Sequence, residues 1–232
     1  MTAVITSAEA AAELLRRNKA EDNLHEFLKQ AWGQIEGGRE FKTNWYLEAV
    51  CEHLEALMRG EISNLLINVP PRHTKSTLVN VALPAWVWIK KPNLQWLFSS
   101  YAWTLALRDS RRCRTIMKSK WYRDRWGDRF NLMEDADRMD RFYNDKMGYR
   151  LTTSVDSATM GDGGDIQVAD DPNNTRDKSD TVLQSTLDWW HDVMPSRVND
   201  FAICKRIVIQ QRTHEKDLSG EMLNQKIIKA QP

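Results

Sequence analysis

The stretch NVPPRHTKST at residues 68–77 decides the fold class, because it joins two segments of different periodicity. Residues 64–69 form a short apolar run that ends at two prolines, which favours a buried β-strand. The residues at 75–90 are mostly apolar, and their length is typical of a helix. The stretch is therefore predicted to be the turn of a strand–turn–helix unit, with Lys75 and Ser76 at the start of the helix.

A Lys-Ser pair at the start of such a helix is typical of a phosphate-binding loop. Backbone N–H groups and the helix N-terminus would cradle phosphates, Lys75 would reach the β/γ oxygens, and Ser76 would hold Mg²⁺. The regular pattern has glycine at two positions where this chain has Val69 and Thr74. An ordinary strand–turn–helix unit with a capping Thr or Ser is the alternative reading of the same residues.

Apolar strands alternate with helices along the rest of the chain. This alternation predicts an α/β fold with a mainly parallel central sheet and helices on both faces. The predicted helices cover residues 7–35, 43–59 (capped by Thr43), 75–90, 102–126, 179–194 and 215–228. The predicted strands cover residues 64–69, 94–100, 165–169 and 206–210, with a β-hairpin within 141–156 around residues 144–148.

The composition excludes several classes of protein. The chain has 232 residues with 33 Lys+Arg against 32 Asp+Glu, so bulk positive charge cannot hold a nucleic acid and a local patch would be needed. The mean hydropathy of −0.59 and the lack of a long apolar run exclude a membrane span. The three cysteines, Cys51, Cys113 and Cys204, have no metal or disulfide spacing, which indicates a reducing compartment.

The segment DIQVADDP at residues 165–172 ends a predicted strand with two adjacent carboxylates. Acids at this place hold Mg²⁺ and polarise the attacking water in phosphate-loop hydrolases. Asp170 would contact the metal, through water, and Asp171 lies where the catalytic carboxylate follows. An Asp-Pro turn with solvated acids is the alternative.

The segment IVIQQRTHEKDLSG at residues 207–220 places Gln210, Gln211 and Arg212 at the end of another strand. In a parallel sheet these side chains would leave at the same carboxyl edge as the loop with Lys75 and could sense the γ-phosphate. The alternative is a plain strand-to-helix loop, with Thr213 or His214 near the cap of the next helix.

Together the three segments resemble the N-terminal ATPase domain of the large terminase subunit of tailed bacteriophages, over about residues 41–223. PPRHTKST resembles the family's PPRHGKS loop, and SATMGDGGDIQVADDP resembles its glycine loop and Walker B strand. QRTHEKDLSG resembles its coupling motif, which is a Thr-Arg-Trp-His-type string. This sequence departs from the pattern at Thr74 for Gly, Gln211 for Thr and Thr213 for Trp.

The resemblance implies a P-loop NTPase fold of the ASCE type that uses ATP and Mg²⁺. Residues 1–60 would form an N-terminal helical segment and residues 61–232 the ATPase core. Catalysis would involve Asp171, Arg72 and Lys75, and the metal would contact Ser76 and Asp170. The nucleotide contacts would be Pro71, Arg72, His73, Thr74, Lys75, Ser76, Thr77, Trp45 and Gln211.

The resemblance also implies a role in a viral DNA-packaging motor that couples ATP hydrolysis to translocation of double-stranded DNA into a procapsid. Its partners would be the DNA, the portal protein, the small terminase subunit and further copies in a ring, with no membrane. It would act in the host cytoplasm during virion assembly. The family's C-terminal nuclease domain would be absent, so DNA cleavage by this chain is not expected.

Several further side chains have both a functional and a structural reading. Family members use a loop arginine such as Arg72 in catalysis, and a surface salt bridge is the alternative. Trp45 and Tyr46 lie where the family's N-terminal segment approaches adenine, and they are equally consistent with a packed aromatic pair. The helical histidines are expected to be packing or surface residues rather than ligands: His25, His53 and His191.

The basic helix at 102–126 carries four arginines close together: Arg108, Arg111, Arg112 and Arg114. One of them is expected to act on a neighbouring subunit's γ-phosphate as an arginine finger. A solvated basic face is the alternative for any single one.

Two other functions fit the sequence. One is a different P-loop enzyme such as a helicase-like ATPase, which would separate strands where a packaging motor would not. The other is a non-catalytic assembly or DNA-docking module, which the Thr74 departure keeps open.

Overall fold

The described residues of the computed structural model are 6–133, 138–155 and 161–229, and they form a six-stranded sheet flanked by helices. The strand order is β1-β6-β5-β2-β4-β3, and each neighbouring pair is parallel except β3 with β4. The predicted α/β fold with a mainly parallel sheet is confirmed. The strands are β1 (Asn64–Asn68), β2 (Trp96–Ser100), β3 (Arg141–Tyr143), β4 (Tyr149–Ser154), β5 (Ile166–Asp170) and β6 (Lys205–Gln210).

Eight α-helices connect and cover these strands in the described residues. They are α1 (Ser7–Asp22), α2 (Leu24–Glu36), α3 (Trp45–Arg59), α4 (Leu83–Lys90), α5 (Trp103–Lys118), α6 (Lys120–Trp126), α7 (Asp180–Asp188) and α8 (Leu218–Lys229). The predicted hairpin is present as β3 and β4. Residues 157–160 of the predicted glycine loop lie outside the described residues.

Two predicted single helices, at 7–35 and 102–126, are each two helices. Asn23 has an extended backbone, and its side chain accepts a hydrogen bond from the Glu26 N–H, which starts α2. Ser119 does the same for α6 through the Tyr122 N–H. Short polar side chains that bond to nearby backbone end one helix and begin the next.

Two predicted helix caps are wrong for the same kind of reason. Asn44, not Thr43, caps α3, because its Oδ1 accepts the Leu47 N–H. Thr43 instead bonds to side chains that include Glu48. The last helix begins at Leu218 rather than near residues 213 and 214, because the Asp217 carboxylate accepts the Gly220 N–H and caps the helix.

The helix that follows β1 has π-helical winding over Thr77–Ala82 before it continues as α4. The Leu83 N–H bonds to the Leu78 carbonyl, five residues earlier. Pro84 has no N–H to donate to the carbonyl of Asn80, four residues earlier. The Asn80 carbonyl is bonded instead by the Arg150 guanidinium, at 3.2 Å.

Buried apolar side chains form one cluster on each face of the sheet. The larger cluster joins residues such as Phe27 of α2 and Leu54 of α3 to Ile67 of β1 and Val168 of β5. The smaller cluster packs strand residues against the end of α7 and the start of α8. The N-terminal helices thus share a core with the sheet, and a domain boundary at residue 60 stays a prediction.

Within the described ranges, no helix combines the length and apolar character that crossing a membrane would require.

Candidate functional site

Strand β6 lies between β1 and β5, and all three run parallel. Their carboxyl ends therefore leave the sheet at one edge. The loop at 70–76 follows β1, the acidic pair Asp170 and Asp171 ends β5, and residues 211–217 follow β6. The three segments that the sequence singled out thus meet at this edge.

The loop at 70–76 contains two residues with a left-handed backbone. Arg72 has a φ of 64° and Thr74 a φ of 65°. Thr74 occupies the position where phosphate-binding loops have glycine, and its backbone adopts the conformation that favours glycine. The Thr74 carbonyl accepts the Leu78 N–H at 2.8 Å, so the loop leads directly into the helix.

Lys75 and Asp171 form an ion pair across this edge. The Lys75 ammonium donates to both carboxylate oxygens of Asp171, at 2.6 Å to Oδ2. Only 7% of the Lys75 side chain is exposed, against 34% for Asp171. The N–H of Gln211 donates to Asp171 Oδ1 at 2.9 Å, and the N–H of Asp171 donates to the Ile209 carbonyl. One carboxylate therefore ties together the ends of all three strands.

Asp170 is buried beside this pair, on the face covered by α5. Its Oδ2 accepts the Asn80 amide at 2.6 Å, while Oδ1 is buried and has no hydrogen-bond partner among the described residues. Burial raises the pKa of Asp170 to about 7, and the charge of Asp171 acts in the same direction. The Lys75 ammonium and the neighbouring Ser76 hydroxyl act against that rise.

These groups fit Mg²⁺, which binds few protein ligands and keeps waters and substrate phosphates as its other ligands. Asp170 Oδ1 offers a buried oxygen without a partner, and the Ser76 hydroxyl lies close to the same carboxylate. A cation at this oxygen would favour the ionised form of Asp170. The described residues contain no cluster of three or more His, Cys, Asp or Glu that would hold a metal by side chains alone.

Asn80 and Asp109 belong to this site, although the sequence analysis missed both. The Asn80 amide, which contacts Asp170, is also 3.5 Å from Asp109 Oδ2. Asn80 is 3% exposed and Asp109 1%. Asn80 is a lone polar residue inside the run LVNVALPAW, four residues after Ser76. A polar residue on the helix face of Ser76 was therefore a signal that could have been used.

The segment after β6 is organised around a third missed residue, Asp217. Its buried carboxylate accepts the N–H groups of Thr213 and Gly220, both at 2.9 Å, and caps α8. The Arg212 guanidinium, expected as a γ-phosphate sensor, is 3.2 Å from the same carboxylate. Gln211 reaches the acidic pair by its backbone, while the Gln210 side chain is buried.

The four arginines of α5 have different surroundings. Arg112 bonds to Glu36 of α2 and to the Thr77 hydroxyl, so it connects elements within this chain. Arg108 bonds to Asp109 and keeps 53% of its side chain exposed. Arg111 donates to the Met139 sulfur, and Arg114 donates to the Arg138 carbonyl at 3.4 Å.

Of the two predicted aromatic contacts, Tyr46 reaches the loop. Its hydroxyl donates to the His73 carbonyl at 2.8 Å, and the two rings lie 5.7 Å apart. Trp45 is 80% exposed at the start of α3. The helical histidines behave as packing or surface residues: His25 bonds to Thr43, His53 bonds to a carbonyl of its own helix, and His191 is exposed.

Neither a protein-family model nor a curated protein matches this sequence at a significant level. Among solved structures, the large terminase of bacteriophage HK97 is similar over 90% of this chain, with a TM-score of 0.62 and 9% identity. The N-terminal domain of the DNA packaging ATPase from bacteriophage phi29 aligns over 73% of this chain and 83% of its own, with a TM-score of 0.45 and 14% identity. This chain spans 41% of the length of the HK97 protein and shares the fold of that part.

Proposed function

We propose that this chain is a Mg²⁺-dependent ATP hydrolase, the ATPase domain of a large terminase subunit. One observation carries the proposal. Lys75 bonds to Asp171 across the carboxyl edge of the sheet, and the neighbouring Asp170 keeps a buried oxygen without a partner in the described structure. A lysine, an acid in contact with it and a second acid open to a cation are the groups that phosphoryl transfer requires.

Lys75 would bind the β- and γ-phosphates. Its ammonium bonds both Asp171 oxygens and only 7% of the side chain is exposed, so incoming phosphate oxygens would compete with that carboxylate for the same protons. Backbone N–H groups of the loop at 70–76 and the start of the following helix would hold the remaining phosphate oxygens.

Ser76 and Asp170 would hold Mg²⁺, which when bound supplies positive charge against the charge that develops on the transferred phosphoryl group. Asp170 is fixed on one side by Asn80, so its free oxygen keeps one direction. Arg72 is exposed in the loop, where a guanidinium could reach phosphate oxygens.

Asp171 would orient the attacking water and accept its proton. It is more exposed than Lys75, and once the ammonium has moved to the phosphates its carboxylate is free to act as a general base. The backbone N–H of Gln211 would keep this carboxylate in place throughout the exchange.

The packaging role rests on the resemblance of the three segments to large terminase subunits and on a fold shared with the HK97 large terminase. We infer that the chain acts on double-stranded viral DNA with a portal protein, a small terminase subunit and other copies of itself in a ring. The host cytoplasm during virion assembly is the place where these partners meet.

Binding of a slowly hydrolysed ATP analogue with Mg²⁺ tests the site. Calorimetric titration of Lys75→Ala should show an affinity loss of about tenfold or more, because charge-assisted hydrogen bonds to phosphate are removed. Lys91→Ala is the matched control. Lys91 lies between α4 and β2, and its ammonium donates to the Met58 carbonyl of α3 rather than to a residue of the site. Equal affinities of the two variants would place the phosphate site elsewhere.

A further inference from the structure

We propose that Asn80 is a positioning residue for the Mg²⁺ site, because it holds one oxygen of Asp170 and leaves the other for the cation. The inference rests on the proposed function and adds a residue that no sequence motif indicates. It starts from the contact between Asn80 Nδ2 and Asp170 Oδ2, at 2.6 Å, between two buried side chains.

The backbone of Asn80, in the helix after β1, is held by a side chain of strand β4. The Arg150 guanidinium of β4 donates to the Asn80 carbonyl at 3.2 Å and stacks over the Phe98 ring at 4.0 Å. Pro84, four residues later, has no N–H to donate to this carbonyl. Arg150 is itself 1% exposed, so packing limits its movement. Asn80 is therefore a rigid support rather than a mobile side chain.

The orientation of the Asn80 amide follows from its surroundings. Its nitrogen faces Asp170 and lies 3.5 Å from Asp109 Oδ2. An amide flipped by 180° would point its oxygen at two carboxylates, which is electrostatically unfavourable. Asp109 is in turn bonded by Arg108 at 3.0 Å and lies 3.8 Å from Arg112. The amide nitrogen thus faces the carboxylates of both Asp170 and Asp109, and the shorter contact is with Asp170.

The contact with Asn80 fixes the direction in which Asp170 presents its second oxygen to a cation. A carboxylate with one oxygen held by a rigid donor presents its second oxygen in a single direction, and the Ser76 hydroxyl lies close to this carboxylate. Without the amide, Asp170 could rotate about its χ angles, and its charge would lose the donor that partly offsets burial. Partners that orient metal ligands commonly change metal affinity without touching the metal.

The test compares ADP binding in Mg²⁺ with ADP binding in EDTA, for the full chain, by calorimetry. For Asn80→Ala, the ratio of the two affinities should fall by about tenfold to a hundredfold, while binding in EDTA stays within about twofold of the wild type. A role confined to folding would lower both affinities together. If Asn80→Ala does not fold, as judged by circular dichroism, Asn80→Ser is measured with the same ratio.

Asn144→Ala is the matched control. Asn144 is also a buried asparagine, and its amide donates to the Pro92 carbonyl at 2.7 Å in the β3–β4 turn. This variant should lower the melting temperature and keep the wild-type ratio. An unchanged ratio in Asn80→Ala would overturn the role of Asn80 alone. A wild type whose ADP binding gains nothing from Mg²⁺ would overturn the proposed cation site, and the inference with it.

Discussion

Thr74 holds a left-handed backbone conformation, with a φ of 65°, that a β-branched side chain rarely adopts. Its carbonyl begins the following helix through the Leu78 N–H, so the conformation is fixed by the turn and not by the side chain. Threonine therefore carries a strain here that glycine would not. The departure from glycine leaves the shape of the loop intact.

We predict that Thr74→Gly raises the free energy of unfolding by up to about 1 kcal/mol, since the left-handed penalty exceeds the added entropy of glycine. Thr77→Gly, three residues later in the helix, should instead lower it by about 1 kcal/mol. Urea unfolding of both variants checks the two signs. Destabilisation by both would show that Thr74 is not strained.

The main groups of the site could be predicted from sequence, whereas the contacts of the groups that hold them could not. Lys75, Ser76 and the acidic pair follow from strand ends, because parallel strands bring their carboxyl ends to one edge. Asn80 and Asp217 act through contacts between distant segments, to Asp170 and to Arg212. Such contacts depend on where each side chain points once the elements have packed, and the spacing of residues along the sequence does not give that direction.

At the scale of secondary structure, Arg112 of helix α5 connects this helix to two other elements. Arg112 bonds to Glu36 at the end of α2 and to the Thr77 hydroxyl beside the loop at 70–76. About a fifth of each partner in the Arg112–Glu36 pair is exposed, so solvent weakens the pair only in part. Arg112 is thus a structural link within the chain.

We predict that Arg112→Ala lowers the free energy of unfolding by about 1–2 kcal/mol, through the loss of a mostly buried ion pair with Glu36 and of hydrogen bonds to the Thr77 hydroxyl and the Ile35 carbonyl. Arg111→Ala, at the preceding and exposed position, should change the free energy of unfolding by no more than about 0.5 kcal/mol. Thermal and urea unfolding of the two variants gives the comparison. Similar losses would mean that the contact with Glu36 contributes nothing specific.

Element order was predictable, whereas several element boundaries were not. The alternation of apolar strands and helices depends on burial, so the order of elements in the folded chain is the predicted one. The breaks at Asn23 and Ser119 depend on one side-chain hydrogen bond each, and such residues are tolerated within helices as well. The π-helical turn at Thr77–Ala82 includes a carbonyl, that of Asn80, which accepts a hydrogen bond from Arg150 of β4, a residue distant in sequence.

At the scale of the whole molecule, the chain has a net charge of +1 and one edge that gathers its reactive groups. Arg108 is linked to that edge through Asp109 and Asn80, and Asp109 holds its guanidinium within the chain. A guanidinium acting on a neighbouring subunit would have to leave Asp109. The isolated chain is therefore expected to hydrolyse ATP slowly.

We predict that ATP turnover per chain rises with protein concentration for the wild type, and that Arg108→Ala removes the rise while nucleotide affinity at low concentration is kept. Arg59→Ala is the control, because Arg59 pairs with Glu61 in the turn before β1. A rate per chain that is high and flat from dilute to concentrated protein would mean that one chain holds a complete site.

The most direct test of the central claim is Mg²⁺-dependent ATP hydrolysis by the wild type beside Asp171→Asn, with analogue affinity measured on the same samples. The amide keeps the size of Asp171 but cannot accept a proton, and it releases Lys75 from its ion pair. We predict turnover reduced by about a hundredfold or more, with nucleotide affinity equal to or above that of the wild type. Equal losses of affinity and turnover would assign Asp171 to the metal, and unchanged turnover would contradict the site.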